Sequence, residues 1–418
     1  MVKDSRVILV DQNIPFANKL FDSLGDVRYV NGREVTEKFE NLEEVWAMVI
    51  RSVTKVTPGF LERAKKLRVI GIATSGTDNV DAVYAGNSGV RVVSALGSNA
   101  DAVADHILYA LMHITNDEDS LKGKTAGIIG YGNCGSRVAK RAEGFGLNVL
   151  KYDPLLRKTD GNFKSDSLEE VLSESDFVTM HVPLTKSSES RYDQGQVVKE
   201  YPTLWMIGKR ELSMMKETAY FFNASRGPVV DSDALLYAVR EGWIKGMVLD
   251  VYENEPEPKA EMIERAIIAT PHIAGYAAEA RIRGAIEISI KMHEILGKDL
   301  KIDPWSLLKQ EFSAAMGKNV RITSKGNVSL DADNAVRTLM ADIYNIRATS
   351  DALKATLGAP NRGNEFDRLR REYRRNELSR YYVALNLPPG LKEEVVNRLN
   401  GFGVKIMERQ KAHYILSV

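Results

Sequence analysis

TAGIIGYGNCGSRVAKRAEGF, Thr125 to Phe145, decides how the rest of the chain is read. Ala126 to Ile129 reads as a strand, and SRVAKRAEGF reads as a helix. Between them Gly130-Tyr131-Gly132-Asn133-Cys134-Gly135 spells G-x-G-x-x-G. The pattern alone is weak, but its setting is the one the chemistry needs. Gly130 permits a tight turn, Gly132 lets backbone approach a pyrophosphate, and Gly135 lets helix and strand pack closely. The free amides at the helix start then face the phosphate charge. The next strand-like run ends in Lys151-Tyr152-Asp153. An acid at that point can accept hydrogen bonds from both ribose hydroxyls and would repel a 2′-phosphate, so NAD is favoured over NADP. Cys134 is the chain's one cysteine; it reads as a small packing residue in the turn, with no second thiol to resolve an oxidised one.

Outward from this turn, TAGIIG, NVLKYD, FVTMHV, AYFFNAS, KGMVLDVY and AIIATPH are six strand-like runs separated by helical stretches. That is the make-up of a doubly wound, parallel-sheet dinucleotide fold. An earlier series, RVILVD, AMVIRS, RVIGIATSG and VRVVSA, predicts a second parallel sheet, and a helix is expected from Asn99 to His113. The helix from Ala277 to Leu296 is expected to return to that first domain. The reading is thus α/β: residues 1–98 and 277–300 form a discontinuous substrate domain, and residues 99–276 a Rossmann domain inserted in it. Residues 301–418 form a third, α+β domain, its tail reading strand, helix, strand, strand. The stretch from Lys186 to Lys199 is read as a long polar loop with no assigned role.

Bulk properties fit this picture. The 418 residues are 44% hydrophobic and 27% charged with a net charge of +1, which gives no field favouring nucleic acid or an anionic membrane. MVKDSRVILVD holds one short apolar run and reads as neither a signal peptide nor a membrane span, so a soluble cytosolic protein is expected.

Three strand ends of the Rossmann series carry unusual side chains. Tyr220-Phe221-Phe222 runs apolar and then stops at Asn223-Ala224-Ser225-Arg226-Gly227-Pro228, LDVYENEP presents Asp250 and Glu255, and ATPHIAGY presents His272. In an open α/β sheet ligands bind beyond the carboxyl ends of strands, so these residues can converge on one site. A guanidinium holds a carboxylate with two hydrogen bonds. An imidazole exchanges a proton near neutrality, and a Glu beside it fixes its orientation and raises its basicity. With a nicotinamide nearby, the combination implies proton removal from a hydroxyl with hydride transfer to NAD. No second His or Cys stands at metal-ligand spacing from His272, so no metal is expected.

GIIGYGNCG, NASRGPVVD, LDVYENEP and PHIAGY together resemble the signature set of the D-2-hydroxyacid dehydrogenases. The resemblance implies Arg226, Glu255 and His272 as catalytic residues. It implies cofactor contacts at Gly130, Gly132, Asn133, Cys134, Gly135, Asp153, Val182, Ala224, Ser225, Arg226, Asp250 and Gly275. VDQNIPFA, RSVTKV, ATSGTDNVD, GSNADAVADH and NEFDRLRREYRRNELSRYYV narrow the likeness to members that act on a small phosphorylated hydroxy acid and form homodimers through a C-terminal domain. Substrate contacts would then fall on Ser52, Thr74, Ser75, Gly76 and Tyr276. Arg51 and Lys55 are candidate phosphate partners by position. So is the run Arg368, Arg370, Arg371, Arg374, Arg375, which otherwise reads as a solvated helix face with Glu partners. Two alternatives share the core motifs: a D-3-phosphoglycerate dehydrogenase, and a NAD-sensing, co-repressor-like binding protein.

Overall fold

A computed structural model describes residues 6–115, 121–185, 191–193, 196–198, 201–314, 319–323, 336–337, 340–341, 343–378, 382–386, 389–401 and 404–406. By contacts the chain divides into two compact units. The first comprises Met1–Asn99, Thr185–Glu200 and Ala277–Ala314; the second comprises Ala100–Leu184, Tyr201–Tyr276 and Ala315–Val418.

In the first unit β1 (Val7–Asp11), β2 (Asp26–Val30), β3 (Val45–Ile50), β4 (Val69–Ile72) and β5 (Arg91–Ser94) form a parallel sheet in the order β2-β1-β3-β4-β5. Alternation along β1 explains why the strand reads as a continuous apolar run. Ile8 and Val10 pack with Ile282, Ile286 and Met292 of the helix Ala278–Leu296, while Val7 and Leu9 pack with Phe60 and Leu61 of the helix Pro58–Arg63. The edge strand β2, DVRYV, was not expected from sequence. None of its residues is fully buried, so it leaves no apolar pattern to read. Residues β9 (Arg191–Asp193) and β10 (Gln196–Val198) pair antiparallel within the polar stretch that was read as a loop. The rest of that stretch from 186 lies outside the described residues, apart from these two strands.

In the second unit β6 (Thr125–Ile129), β7 (Asn148–Tyr152), β8 (Phe177–Met180), β11 (Tyr220–Asn223), β12 (Gly246–Leu249) and β13 (Ile268–Ala269) form a six-stranded parallel sheet, ordered β13-β12-β11-β8-β6-β7. All six strands coincide with the runs read from sequence. The chain steps outward from β6 to β7 and then crosses back past β6 to β8. Connections therefore leave β6 and β8 in opposite directions, which opens a crevice at their carboxyl ends. Phe221 and Phe222 sit on opposite faces: Phe221 packs with Leu235 and Met247, and Phe222 with Leu108 and Val138. Burying each ring contributes ~2 kcal/mol.

Toward the C-terminus β14 (Asn319–Thr323), β15 (Tyr382–Asn386) and β16 (Lys405–Ile406) form a small parallel sheet, with the helix Pro389–Gly401 between β15 and β16. β14 adds a strand to the expected tail, whose last run, HYILSV, lies outside the described residues. Where the sequence reading set 301–418 apart, contacts group Ala315–Val418 with the second unit. The physical reason is the helix Ile346–Ala355. It lies against β13, where the Ala269 amide donates to Ser350 Oγ at 3.0 Å and Leu353 is buried. Among the described residues no helix is long and apolar enough to cross a membrane.

Candidate active site

The glycine turn fits a dinucleotide. A Cβ on Gly135 would overlap the Gly130 carbonyl oxygen, so helix and turn close only around glycine. A Cβ on Gly132 would meet nothing within 4 Å, so that side of the turn is open. Gly132 is also the N-cap of the helix Asn133–Gly144 and offers no side chain to its first amides. The free amides and the positive helix end therefore remain for a diphosphate. Val182 flanks the turn, its Cγ1 2.9 Å from where a Gly130 Cβ would stand. Burial pushes the Cys134 thiol up to about 11, against the pull of the Arg137 and Arg226 charges. The group stays a neutral packing thiol, with little thiolate to react.

Asp153 does two structural jobs at once. Its Oδ2 accepts from the Tyr131 amide at 2.9 Å, and its Oδ1 accepts from the Leu156 amide at 2.9 Å, capping the helix Pro154–Thr159. A carboxylate has about four acceptor sites, so the capacity to hold a ribose hydroxyl remains.

The strands β11, β12 and β13 are neighbours, and the backbone ties their ends together. The Asp250 amide donates to Asn223 O at 2.9 Å, and the His272 amide donates to Asp250 O at 2.7 Å. Asn223 then shapes the turn that carries Arg226. Its Nδ2 donates to Arg226 O at 2.9 Å, while its Oδ1 accepts from the Ser225 amide at 3.1 Å and the Ser225 hydroxyl at 3.0 Å. Ser225 is buried, Ala224 and Arg226 are half-buried, and Arg226 Nη1 donates to Ser225 O at 2.7 Å. A Cβ on Gly227 would overlap the Tyr252 carbonyl, so the arginine turn and the Glu255 loop meet backbone to backbone.

Glu255 and His272 are brought into direct contact: His272 Nδ1 lies 2.6 Å from Glu255 Oε2. The other carboxylate oxygen accepts from the Tyr252 amide at 3.0 Å. Burial alone would raise the Glu255 carboxyl. The His272 charge, the hydrogen bond to it, the Tyr252 amide and the Arg370 charge outweigh burial and hold the group below the ordinary Glu value. An ionised carboxylate only accepts, so Nδ1 carries a proton, and in the neutral imidazole it is Nε2 that holds the lone pair. His272 adopts φ of +55°, an uncommon left-handed conformation for a residue with a side chain.

That conformation is held by Asp250, buried at 2% exposure. Its Oδ1 accepts from Thr270 Oγ1 at 2.6 Å and the Ile273 amide at 2.8 Å, and its Oδ2 accepts from the Ala274 amide at 2.8 Å. The side chain expected to contact cofactor is thus engaged in pinning the His272 loop. Behind Thr270 stands His106, 1% exposed, with Nε2 3.3 Å from Thr270 Oγ1. Burial pushes this imidazole down to about 4, against the pull of the Asp250 carboxylate. The unfolded chain takes up this proton near pH 6.5, and the folded chain does so only near pH 4. Its contribution is therefore complete above pH 6.5 and lost at about 1.4 kcal/mol per pH unit as pH falls through that window. We expect urea unfolding at a series of pH values to show a shallower acid loss for His106→Asn than for the native chain.

Gly275 and Tyr276 follow directly, both half-buried, and Tyr276 packs its ring beneath the Arg370 guanidinium at 5.5 Å. Arg375 is 6% exposed and is no solvated residue. Its Nη2 donates to Ala102 O at 2.7 Å and to Ala274 O at 2.8 Å, and its guanidinium lies 5.7 and 5.6 Å from the Tyr109 and Tyr344 rings. It thereby clamps the His272 loop onto the helix Ala100–Ile114. Arg375→Met, which removes both charge-assisted bonds, should cost about 3 kcal/mol of unfolding free energy in urea.

In the first unit the remaining candidates lie at the carboxyl ends of β3 and β4. Ser52 is exposed, while Thr74, Ser75 and Gly76 are half-buried. Asn79 straps the two ends together, its Nδ2 donating to Thr54 O at 2.8 Å and Arg51 O at 3.3 Å. Ser75 Oγ accepts from the Gly97 amide at 3.1 Å, and Thr74 Oγ1 is buried without a protein partner. Arg51 Nε is paired with buried Asp11 Oδ2 at 2.8 Å, and Lys55 is exposed. Among the described residues no group of three or more His, Cys, Asp or Glu side chains is placed to hold a metal ion.

Sequence reasoning missed Asn223, Thr270 and His106. Their work is to bond backbone and one another, and such residues carry no motif of their own.

A cofactor turn over a parallel switch point, with a carboxylate-oriented imidazole and a guanidinium at neighbouring strand ends, is the equipment of a dehydrogenase. The family model described as D-isomer specific 2-hydroxyacid dehydrogenase, NAD binding domain, matches residues 111–274. The chain belongs to this family and is a NAD-dependent oxidoreductase acting on 2-hydroxy acids. Over 368 residues it is 36% identical to the erythronate-4-phosphate dehydrogenase of Photorhabdus laumondii subsp. laumondii, covering 88% of this chain and 91% of that protein. A D-lactate dehydrogenase from Aquifex aeolicus, solved with NAD and lactic acid, superposes with a TM-score of 0.57 at 26% identity, covering 70% of this chain and 96% of that one. A glyoxylate reductase from Paecilomyes thermophila gives a TM-score of 0.60 at 24% identity over 71% of this chain and 97% of its own, a likeness of fold.

Proposed function

We propose that the protein is an erythronate-4-phosphate dehydrogenase. It oxidises C2 of 4-phospho-D-erythronate to 2-oxo-3-hydroxy-4-phosphobutanoate, a step in the synthesis of pyridoxal phosphate. The observation that carries this reading is the reach of the likeness. The Photorhabdus laumondii relative matches 88% of this chain, whereas the solved lactate dehydrogenase matches 70%. The substrate assignment thus draws on more of the chain than the shared dehydrogenase portion.

Bound NAD supplies the hydride acceptor. His272 Nε2 takes the C2 hydroxyl proton, and Glu255, fixed at Nδ1, stabilises the imidazolium that results. Arg226 holds the substrate carboxylate and polarises the oxygen as it becomes a ketone. The glycine turn, Asp153, Val182, Ala224, Ser225, Asp250 and Gly275 form the cofactor side. We assign substrate contacts to Ser52, Thr74, Ser75, Gly76 and Tyr276; the unpartnered Thr74 hydroxyl supports this. A homodimer formed through a C-terminal domain and a cytoplasmic location complete the proposal.

The test is NADH formation with 4-phospho-D-erythronate beside 3-phosphoglycerate and D-lactate. The reading requires kcat/KM for the first to exceed the other two by at least about tenfold. Preference for 3-phosphoglycerate would replace it with the rival assignment.

A further inference from the structure

A substrate with a carboxylate at one end and a phosphate at the other needs two cationic contacts, and Arg226 accounts for one. We propose that Arg370 is the specificity-determining residue that binds the substrate's phosphate, an inference that rests on the function proposed above.

The helix Arg362–Glu372 lies with one face on the loop that carries Glu255. A Cβ on Gly363 would stand 2.9 Å from Glu257 Cγ and 3.3 Å from Pro256 Cγ. One turn on, the buried Phe366 ring meets Tyr252 edge-on at 6.1 Å between centroids. One further turn brings Arg370 over Tyr276. Positions 363, 366 and 370 follow the spacing of a single helical face, so the packing that seats the first two delivers the third.

Of the other arginines of the run, three are engaged elsewhere and one is exposed. Arg368 is bonded to Glu365 at 2.8 Å and Glu372 at 2.6 Å, Arg371 is exposed, Arg374 donates to Arg371 O and Tyr373 O, and Arg375 clamps Ala102 and Ala274. Arg370 is different. Its side chain is 17% exposed, Asp367 Oδ1 lies 3.9 Å from Nη1, and its Nε is buried without a hydrogen-bond partner. Its charge is felt by Glu255. A guanidinium held over a ring still has N–H donors to offer an anion, and a fork of N–H groups suits phosphate oxygens. The phosphate would also balance a cation otherwise held beside the position where the His272 imidazolium forms. Tyr276 then lies beneath the guanidinium and helps to position it.

Steady-state kinetics of the full-length native protein, Arg370→Gln and Arg370→Lys are to be compared on 4-phospho-D-erythronate and on unphosphorylated D-erythronate, with NAD affinity measured by fluorescence titration. Loss of charge-assisted bonds to phosphate should raise KM for the phosphorylated substrate about 10- to 100-fold in the Gln variant. NAD affinity should stay within about twofold, the fall in kcat/KM on D-erythronate should be at least about tenfold smaller than on the phosphorylated substrate, and Lys should recover part of the loss. An unchanged preference for the phosphorylated substrate, or an equal fall on both substrates, overturns the proposal; the latter result would mean that Arg370 acts through Glu255. A native enzyme inactive on 4-phospho-D-erythronate overturns the function reading itself, and that outcome is recognised before any variant is made.

Discussion

His272→Ala should lower kcat by about 10²- to 10⁴-fold while leaving NAD affinity within about twofold, as read by stopped-flow absorbance and by fluorescence titration. The size follows from what is removed. In the proposed mechanism Nε2 holds the lone pair that accepts the hydroxyl proton, and no other described imidazole shares the loop with it. The specificity of the effect follows from what remains. The Ile273 and Ala274 amides still bind Asp250, so the loop keeps its anchor. An alanine at this left-handed position carries a backbone cost of about 1–2 kcal/mol, so the variant's fold is checked by the same NAD titration. Loss of cofactor binding together with turnover would make His272 a structural residue.

Arg226→Gln is the second large effect. In the proposed mechanism, removing the guanidinium leaves the substrate carboxylate and the developing ketone oxygen with one neutral donor. A loss of about 10²- to 10³-fold in kcat/KM is expected. Arg226→Lys should fall between the native protein and Gln, because a point charge keeps the attraction and lacks the two-pronged geometry. The Asn223 bond to the Arg226 carbonyl is untouched in both variants, so the turn itself should persist. Equal rates for Gln, Lys and native protein would remove Arg226 from the chemistry.

Apart from the edge strand β7, no residue of which is fully buried, the Rossmann strands were legible because they are buried on both faces. Such strands read as short apolar runs, and Phe221 and Phe222 are the extreme case. The glycine turn was legible because its constraints are local: Gly135 must admit a carbonyl, and no longer-range fact is needed. β2 was opaque because nothing in it is fully buried and the charged Asp26 and Arg28 break up its apolar residues, whereas the edge strand β7 keeps Val149 and Leu150 together. Glu255 and His272 were individually visible, as polar residues beside Pro256 and Pro271 at strand ends. Their contact depends on β12 and β13 being neighbours, which one sequence states only through the fold it implies.

Asp250 carries a task the sequence did not state: besides the cofactor contact proposed for it, it accepts from Thr270 and from two amides of the His272 loop. The arginine run was the hardest part. Charge density suggested a solvated face, and five residues of one type hid three different fates. The helical face 363, 366, 370 was present in the sequence as Gly, Phe and Arg. It could be read only once it was known which surface the helix covers.

The most direct measurement is a single turnover of 4-phospho-D-erythronate deuterated at C2. The account predicts that the deuterium appears in the reduced nicotinamide and that the rate shows a primary isotope effect in the chemical step. Deuterium released to solvent, or retained at C2 while NAD stays oxidised, would contradict hydride transfer at this site.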